Sequence, residues 1–95
     1  MNRPEINEKN TDELFDAFVA LQTKEECRKF FEDLFTEVEI AALAERFQVA
    51  KLLLEGKTYV EIEEKTKAST VTISRVSKSI SKGSDGYRYI LEKIK

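Results

Sequence analysis

Residues 58–80 read "TYVEIEEKTKASTVTISRVSKSI", and the fold turns on how this stretch is divided. Thr58 stands three residues ahead of Glu61, the spacing of a capping box. In that motif the Thr oxygen accepts an orphan backbone N–H and the Glu reaches back to the cap's own N–H. A short helix to about Thr66 follows, and a second helix begins near Ser69 or Thr70. With Tyr59 as the start of a helix-turn-helix unit, Ile62, Thr66, Ala68, Ile73 and Val76 take the positions that face a core. The tight turn falls at Lys67-Ala68-Ser69. Two residues depart from the usual pattern: Glu63 stands where a small side chain normally lets the helices approach, and Lys67 where the turn normally has Gly.

The second helix sorts into faces at about 100° per residue. Ile73, Val76 and Ile80 share the core side. Thr70, Ser74 and Lys78 lie opposite, with Val71 beside them. These are groove-facing residue types: hydroxyls meet either kind of base edge, Val71 suits a thymine methyl, and Lys78 suits a phosphate. The turn residues Lys67 and Ser69 complete the expected DNA-facing set. A third stripe, Thr72, Arg75 and Ser79, belongs to neither face.

Outward from this unit, two more Thr–Glu pairs at the same spacing, Thr23…Glu26 and Thr36…Glu39, each precede an apolar periodic run. The periodicity predicts a helix from near Thr11 or Asp12 with Leu14, Phe15, Phe18 and Leu21 on one face. The next helix carries Cys27, Phe30, Phe31 and Leu34, and a third carries Ile40, Leu43, Ala44, Phe47, Ala50 and Leu54. Gly56 is placed to end the third helix. The break at residues 82–86, "KGSDG", precedes a last helix with Tyr87, Ile90, Leu91 and Ile94. Residues 1–10 lack apolar periodicity and read as a mobile arm ahead of a helical domain at 11–95, with the helix-turn-helix at about 58–81. The Val and Thr of residues 70–76 have no partner strand, so the expected fold class is all-α with about six helices.

The formal net charge of −2 conceals a segregation: residues 1–64 carry −8, residues 65–84 carry +5 with no acid, and the last eleven carry +1. An acidic body with one basic segment directs a single surface toward an anion. The chain has no His and one Cys, Cys27. That argues against a metal site, a His-based catalyst or an internal disulfide, and no cofactor is expected. Cys27, on an apolar stripe, reads as buried filler. No apolar run has the length of a signal peptide or membrane span, so no membrane partner and a cytoplasmic location are expected. A 95-residue chain buries about 60–65% of its unfolded surface, and six Phe and three Tyr are much to cover. Dimerisation would cover more.

The stretch "LFTEVEIAALAERFQVAKLLLEG" at 34–56, with "TISRVSKSI" at 72–80, resembles the Trp repressor superfamily and its YerC/YecD group of Trp-repressor-like proteins. The resemblance runs from about Leu34 to Ser81 and implies an intertwined homodimer that binds double-stranded DNA. In tryptophan-binding members the indole lies between two Arg guanidinium planes; Arg46 and Arg75 match those positions, and Thr36, Thr72 and Ser79 match neighbouring hydroxyls. The resemblance thus implies an effector site of Thr36, Arg46, Thr72, Arg75 and Ser79. Val76 stands where those members have Gly, and its branched side chain competes for the indole slot. That counts against tryptophan itself as the effector. The basic residue of the bracing helix is also missing, with Val60 and Glu63 in its neighbourhood.

The expected function is a non-enzymatic, sequence-specific transcriptional repressor with a small aromatic or amino-acid-like effector. Two alternatives remain open: an effector-independent DNA binder in which Arg46 pairs with Glu39 or Glu45 and Arg75 meets a phosphate, or a helical protein-interaction module.

Overall fold

A computed structural model describes residues 5–95. The described residues contain six helices and no strand, as expected. The chain divides into two compact units, Met1–Thr36 and Glu37–Lys95.

The first unit holds α1 (Glu8–Ala20) and α2 (Lys24–Leu34). Helix α1 begins earlier than Thr11 because Asn7 caps it, its side-chain oxygen accepting the Asn10 N–H at 3.1 Å. The arm expected through residue 10 is therefore helical from Glu8, and residues 1–4 lie outside the described part. Thr23 caps α2 as the spacing predicts, accepting the Glu26 N–H at 3.1 Å. The Glu26 carboxylate accepts the N–H of Gln22, one residue ahead of the cap, so the reciprocal bond is displaced. Rings join the two helices: Phe18 lies 5.7 Å from Phe30 and 5.8 Å from Phe31, and at the end of α2 Phe31 lies 5.1 Å from the C-cap residue Phe35. No residue of α1 or α2 is buried. Cys27 is exposed rather than filler: the ring contacts of Phe18 fall on Phe30 and Phe31, a turn nearer the C-terminus of α2.

The second unit packs α3 (Glu37–Leu54), α4 (Tyr59–Thr66), α5 (Thr70–Lys82) and α6 (Gly86–Lys93). Its core is Val49, Ala50 and Leu52 of α3, Ile62 of α4, Ala68 of the turn, and Ile73 and Val76 of α5, with Leu53, Ile80 and Tyr87 packed against it. The four helix-turn-helix residues Ile62, Ala68, Ile73 and Val76 are buried and Thr66 half-buried, as their positions predict. On α3 the expected stripe is only partly right. Ala50 is buried, Ile40, Leu43 and Phe47 are half-buried, and Ala44 and Leu54 are exposed. Helices α4, α5 and α6 all pack on α3, so the buried surface shifts to Val49 and Leu52 on its C-terminal half.

Gly56 ends α3 with φ +86°. Its N–H donates to the Leu53 carbonyl and that of Lys57 to Leu52, both at 3.0 Å, a Schellman arrangement. Lys57 alone then separates Gly56 from the Thr58 cap, which fixes how sharply α4 leaves α3. The box at Thr58 is complete: Thr58 Oγ1 accepts the Glu61 N–H and Glu61 Oε1 accepts the Thr58 N–H, each at 3.2 Å. At the other end of α5, a Cβ on Gly83 would collide with the Ser79 carbonyl. Arg88 of α6 then ties the two helices, donating from Nη1 to the Ile80 carbonyl at 3.1 Å and to Asp85 Oδ1 at 3.2 Å.

Candidate nucleic-acid interface and effector cavity

The turn between α4 and α5 is set by local hydrogen bonds. Thr66 Oγ1 donates to the Ile62 carbonyl at 2.8 Å and accepts the Ala68 N–H at 3.1 Å. Lys67 between them is left-handed, φ 63°; the turn keeps the geometry that usually selects Gly while carrying a cation. Ser69 then caps α5, its Oγ accepting the Thr72 N–H at 3.2 Å. Its own hydroxyl donates to Thr72 Oγ1 at 3.2 Å. Ser69 therefore has a structural task besides any role toward DNA.

The outward side of α5 is open. Thr70, Ser74 and Lys78 recur every four residues and are exposed, and Val71 is 58% exposed beside them. Lys65, Lys67, Arg75, Lys78 and Lys82 are exposed as well. No carboxylate interrupts them between residues 65 and 84. A projecting helix with hydroxyls, one apolar side chain and flanking cations has the surface chemistry of a groove reader.

The third stripe of α5 faces a cavity of about 450 Å³ lined by Ala42, Glu45, Arg46, Thr72, Arg75, Val76, Ser79 and Tyr87. Four of the five effector residues expected from the resemblance, Arg46, Thr72, Arg75 and Ser79, therefore share one space. Thr36 belongs to the first unit. Among the described residues neither Arg46 nor Arg75 is in an ion pair within 4.0 Å, so the pairing of Arg46 with a carboxylate of its own helix is not formed. Val76 is 2% exposed and forms part of the wall, where a Gly would leave a slot. Ala42, Glu45 and Tyr87 are lining residues that sequence reasoning misses. Ala42, Glu45 and Arg46 are spaced i, i+3 and i+4 on α3, a face that periodicity could mark once Arg46 is suspected. Tyr87 arrives from α6 and needs the fold.

A helix-turn-helix unit with a projecting, acid-free second helix over an acidic body defines a DNA-binding regulator. The family model described as Trp repressor protein matches residues 9–95, and the chain belongs to that family, whose members are regulators rather than enzymes. It is 44% identical over 95 residues to the uncharacterized protein YerC of Bacillus subtilis (strain 168), covering 100% of this chain and 91% of that one. A crystal structure of a proposed Trp repressor from Staphylococcus aureus matches with a TM-score of 0.88 and 49% identity, over 90% of this chain and 86% of that one. That of a TrpR-like protein from Eubacterium eligens ATCC 27750 matches with a TM-score of 0.88 and 46% identity, over 90% and 89%.

Proposed function

We propose that this chain is a homodimeric, sequence-specific repressor of transcription, controlled by a small anionic effector held between Arg46 and Arg75. The observation that carries this reading is the division of α5. One helix presents Thr70, Val71, Ser74 and Lys78 outward and Thr72, Arg75 and Ser79 to the cavity. A ligand in the cavity would set the position of the helix that reads DNA. Guanidinium groups suit it because they pair bidentately with carboxylates and stack on planar groups. With Val76 narrowing the slot, the effector is aromatic or amino-acid-like but slimmer than tryptophan. Lys67, Ser69 and Lys78 position the unit on the phosphates; Thr70, Val71 and Ser74 read bases.

Dimerisation is supported by the apolar side chains left in the open: Phe15 is 55% exposed, Val19 83% and Val38 80%. No helix among the described residues is long and apolar enough to cross a membrane, and a regulator of this kind works in the cytoplasm beside the chromosome.

The exposure of Arg75 favours a second reading, in which it meets a phosphate directly and no effector exists. Selection of bound sequences from random duplexes, with and without amino acids and indoles, tests both. Enrichment of one palindromic site, strengthened by one compound and abolished by Arg75→Ala, is expected. If Arg75→Ala weakens DNA binding with no compound present and none of the compounds changes the wild type, the effector-independent reading replaces it. Absence of salt-dependent duplex binding would leave the protein-interaction module.

A further inference from the structure

The cavity beside α5 contains more than an anion site. Glu45 lines the same space as Arg46 and Arg75, and among the described residues it is in no ion pair within 4.0 Å. Two cations and one anion thus face one volume without neutralising each other. The hydroxyls divide the same way. Thr72 Oγ1 accepts from Ser69, so its own O–H is left to donate toward an anion. Ser79 donates to the Arg75 carbonyl at 3.1 Å, so toward the cavity it can only accept. Tyr87 adds a phenolic donor. Only Ala42 and Val76 supply aliphatic wall, whereas sites for apolar ligands are lined predominantly by hydrophobic and aromatic side chains.

We infer that the ligand of this cavity is a small amino dicarboxylate: two carboxylates on Arg46 and Arg75, and an ammonium group on Glu45 with Ser79 as second acceptor. The inference rests on the effector site proposed above and names the class of compound that fills it. An indole acid would satisfy one Arg, leave the Glu45 carboxylate facing an apolar ring, and press that ring on Val76. A plain dicarboxylate would satisfy both Arg residues and be repelled by Glu45. Only a molecule with two negative groups and one positive group mirrors the wall, and charged hydrogen bonds left unmade in a partly desolvated site are expensive.

The test is calorimetry on the full chain with L-aspartate, L-glutamate, succinate, glutarate, L-tryptophan and indole-3-acetate, with circular dichroism to confirm that each variant is folded. One amino dicarboxylate is expected to bind more tightly than its deaminated counterpart and than either indole. Arg46→Ala or Arg75→Ala should weaken it by about 10- to 100-fold, the equivalent of one charged hydrogen bond. Glu45→Gln should erase the preference for the amino form over the deaminated one, a readout that a purely structural role for Glu45 would not move. Equal binding of succinate and aspartate, and of glutarate and glutamate, by wild type would refute the role of Glu45. Binding of an indole acid without the amino dicarboxylates would leave the effector site standing and overturn this ligand class. If no probe binds at millimolar concentration to protein that still binds DNA, the effector site itself falls and the inference with it.

Discussion

Lys67 holds a left-handed backbone, φ 63° and ψ 11°, at the C-cap of α4, and its side chain is exposed. For an L-residue with a Cβ this conformation costs about 1–2 kcal/mol. Gly removes that strain but gives back about 0.5–1 kcal/mol through its freer unfolded chain. Lys67→Gly is therefore expected to stabilise the fold by about 0.5–1 kcal/mol, or roughly 2–8 °C in Tm for a domain of this size. The same change deletes a cation at the proposed interface. If Lys67 meets a phosphate, the slope of log K against log salt should fall by about 0.9 for each phosphate no longer neutralised. Lys67→Ala is the control, because it removes the same charge and keeps the strained Cβ. Thermal melts by circular dichroism and DNA titrations over a salt series measure the two effects separately. Equal melting temperatures for the Gly and Ala variants would refute the strain argument. A wild-type salt slope in both would remove Lys67 from the interface.

Lys78→Ala should weaken all duplexes alike and flatten the salt dependence, whereas Thr70→Ala or Ser74→Ala should change which sequence is preferred, by about 1–3 kcal/mol for each base-edge hydrogen bond removed; uniform weakening by all three variants would mean that neither hydroxyl reads bases. Hydrogen bonds from the Thr58 backbone and then its hydroxyl hold the Glu61 carboxyl below its usual range, with Lys57 and Lys65 adding to the effect and desolvation opposing it. A depressed pKa stabilises the fold above the unfolded value of about 4.3 and loses that contribution as pH falls through the folded pKa. Denaturant titrations should thus show wild type losing its advantage over Glu61→Gln in acid, and parallel pH profiles would contradict this. Sedimentation equilibrium at micromolar concentration should give about twice the chain mass of 11.0 kDa, because a two-fold reader presents paired helices to paired half-sites; a monomer throughout that range would remove the half-site reading.

Local chemistry makes the helix-turn-helix legible from sequence. The Thr58 box, the Ser69 cap and the buried set of Ile62, Ala68, Ile73 and Val76 each follow from spacing within a few residues. The start of α1 is not legible by the same means. Its first turn, Glu8-Lys9-Asn10, holds no apolar residue to show periodicity, and Asn7 caps it without a Thr–Glu pair. Helix α3 departs for a different reason. A single apolar stripe is the right expectation for a helix packed on one side, but α3 is packed by three others, and two of its three buried residues, Val49 and Leu52, lie off that stripe. In the cavity, Thr72, Arg75 and Ser79 can be grouped by helical period and Arg46 by resemblance. Glu45 is the chain neighbour of Arg46, a spacing at which helical side chains do not face each other, and it lines the cavity with Arg46 without an ion pair between them. Tyr87 is placed by α6, whose packing no short-range signal encodes.

On the proposed reading, the absence of carboxylates from residues 65–84 serves two anions on separate faces of one helix, and this constrains how an effector could act. A bound anion neutralises Arg75 and so reduces the positive field that DNA meets, which by itself weakens binding. The two faces centre about 130° apart around the helix, roughly 10 Å on a cylinder about 10–12 Å across and a little more than the roughly 8 Å Debye length at physiological salt. That direct effect is therefore largely screened, and less so in dilute buffer. Control must come from geometry: the ligand has to bind the DNA-competent placement of α5 more tightly than any other placement. An amino dicarboxylate, clamped by Arg46 and Glu45 on α3 and by Arg75 and Ser79 on α5, would fix both the distance and the rotation between those helices. A compound held by one Arg alone would fix neither. A co-repressor of this kind should hence strengthen DNA binding most, relative to the ligand-free protein, at physiological salt, and its benefit should shrink as salt is lowered. A ligand that weakens DNA binding, and weakens it more as salt is lowered, would mean that charge on α5, and not its placement, is what the effector controls.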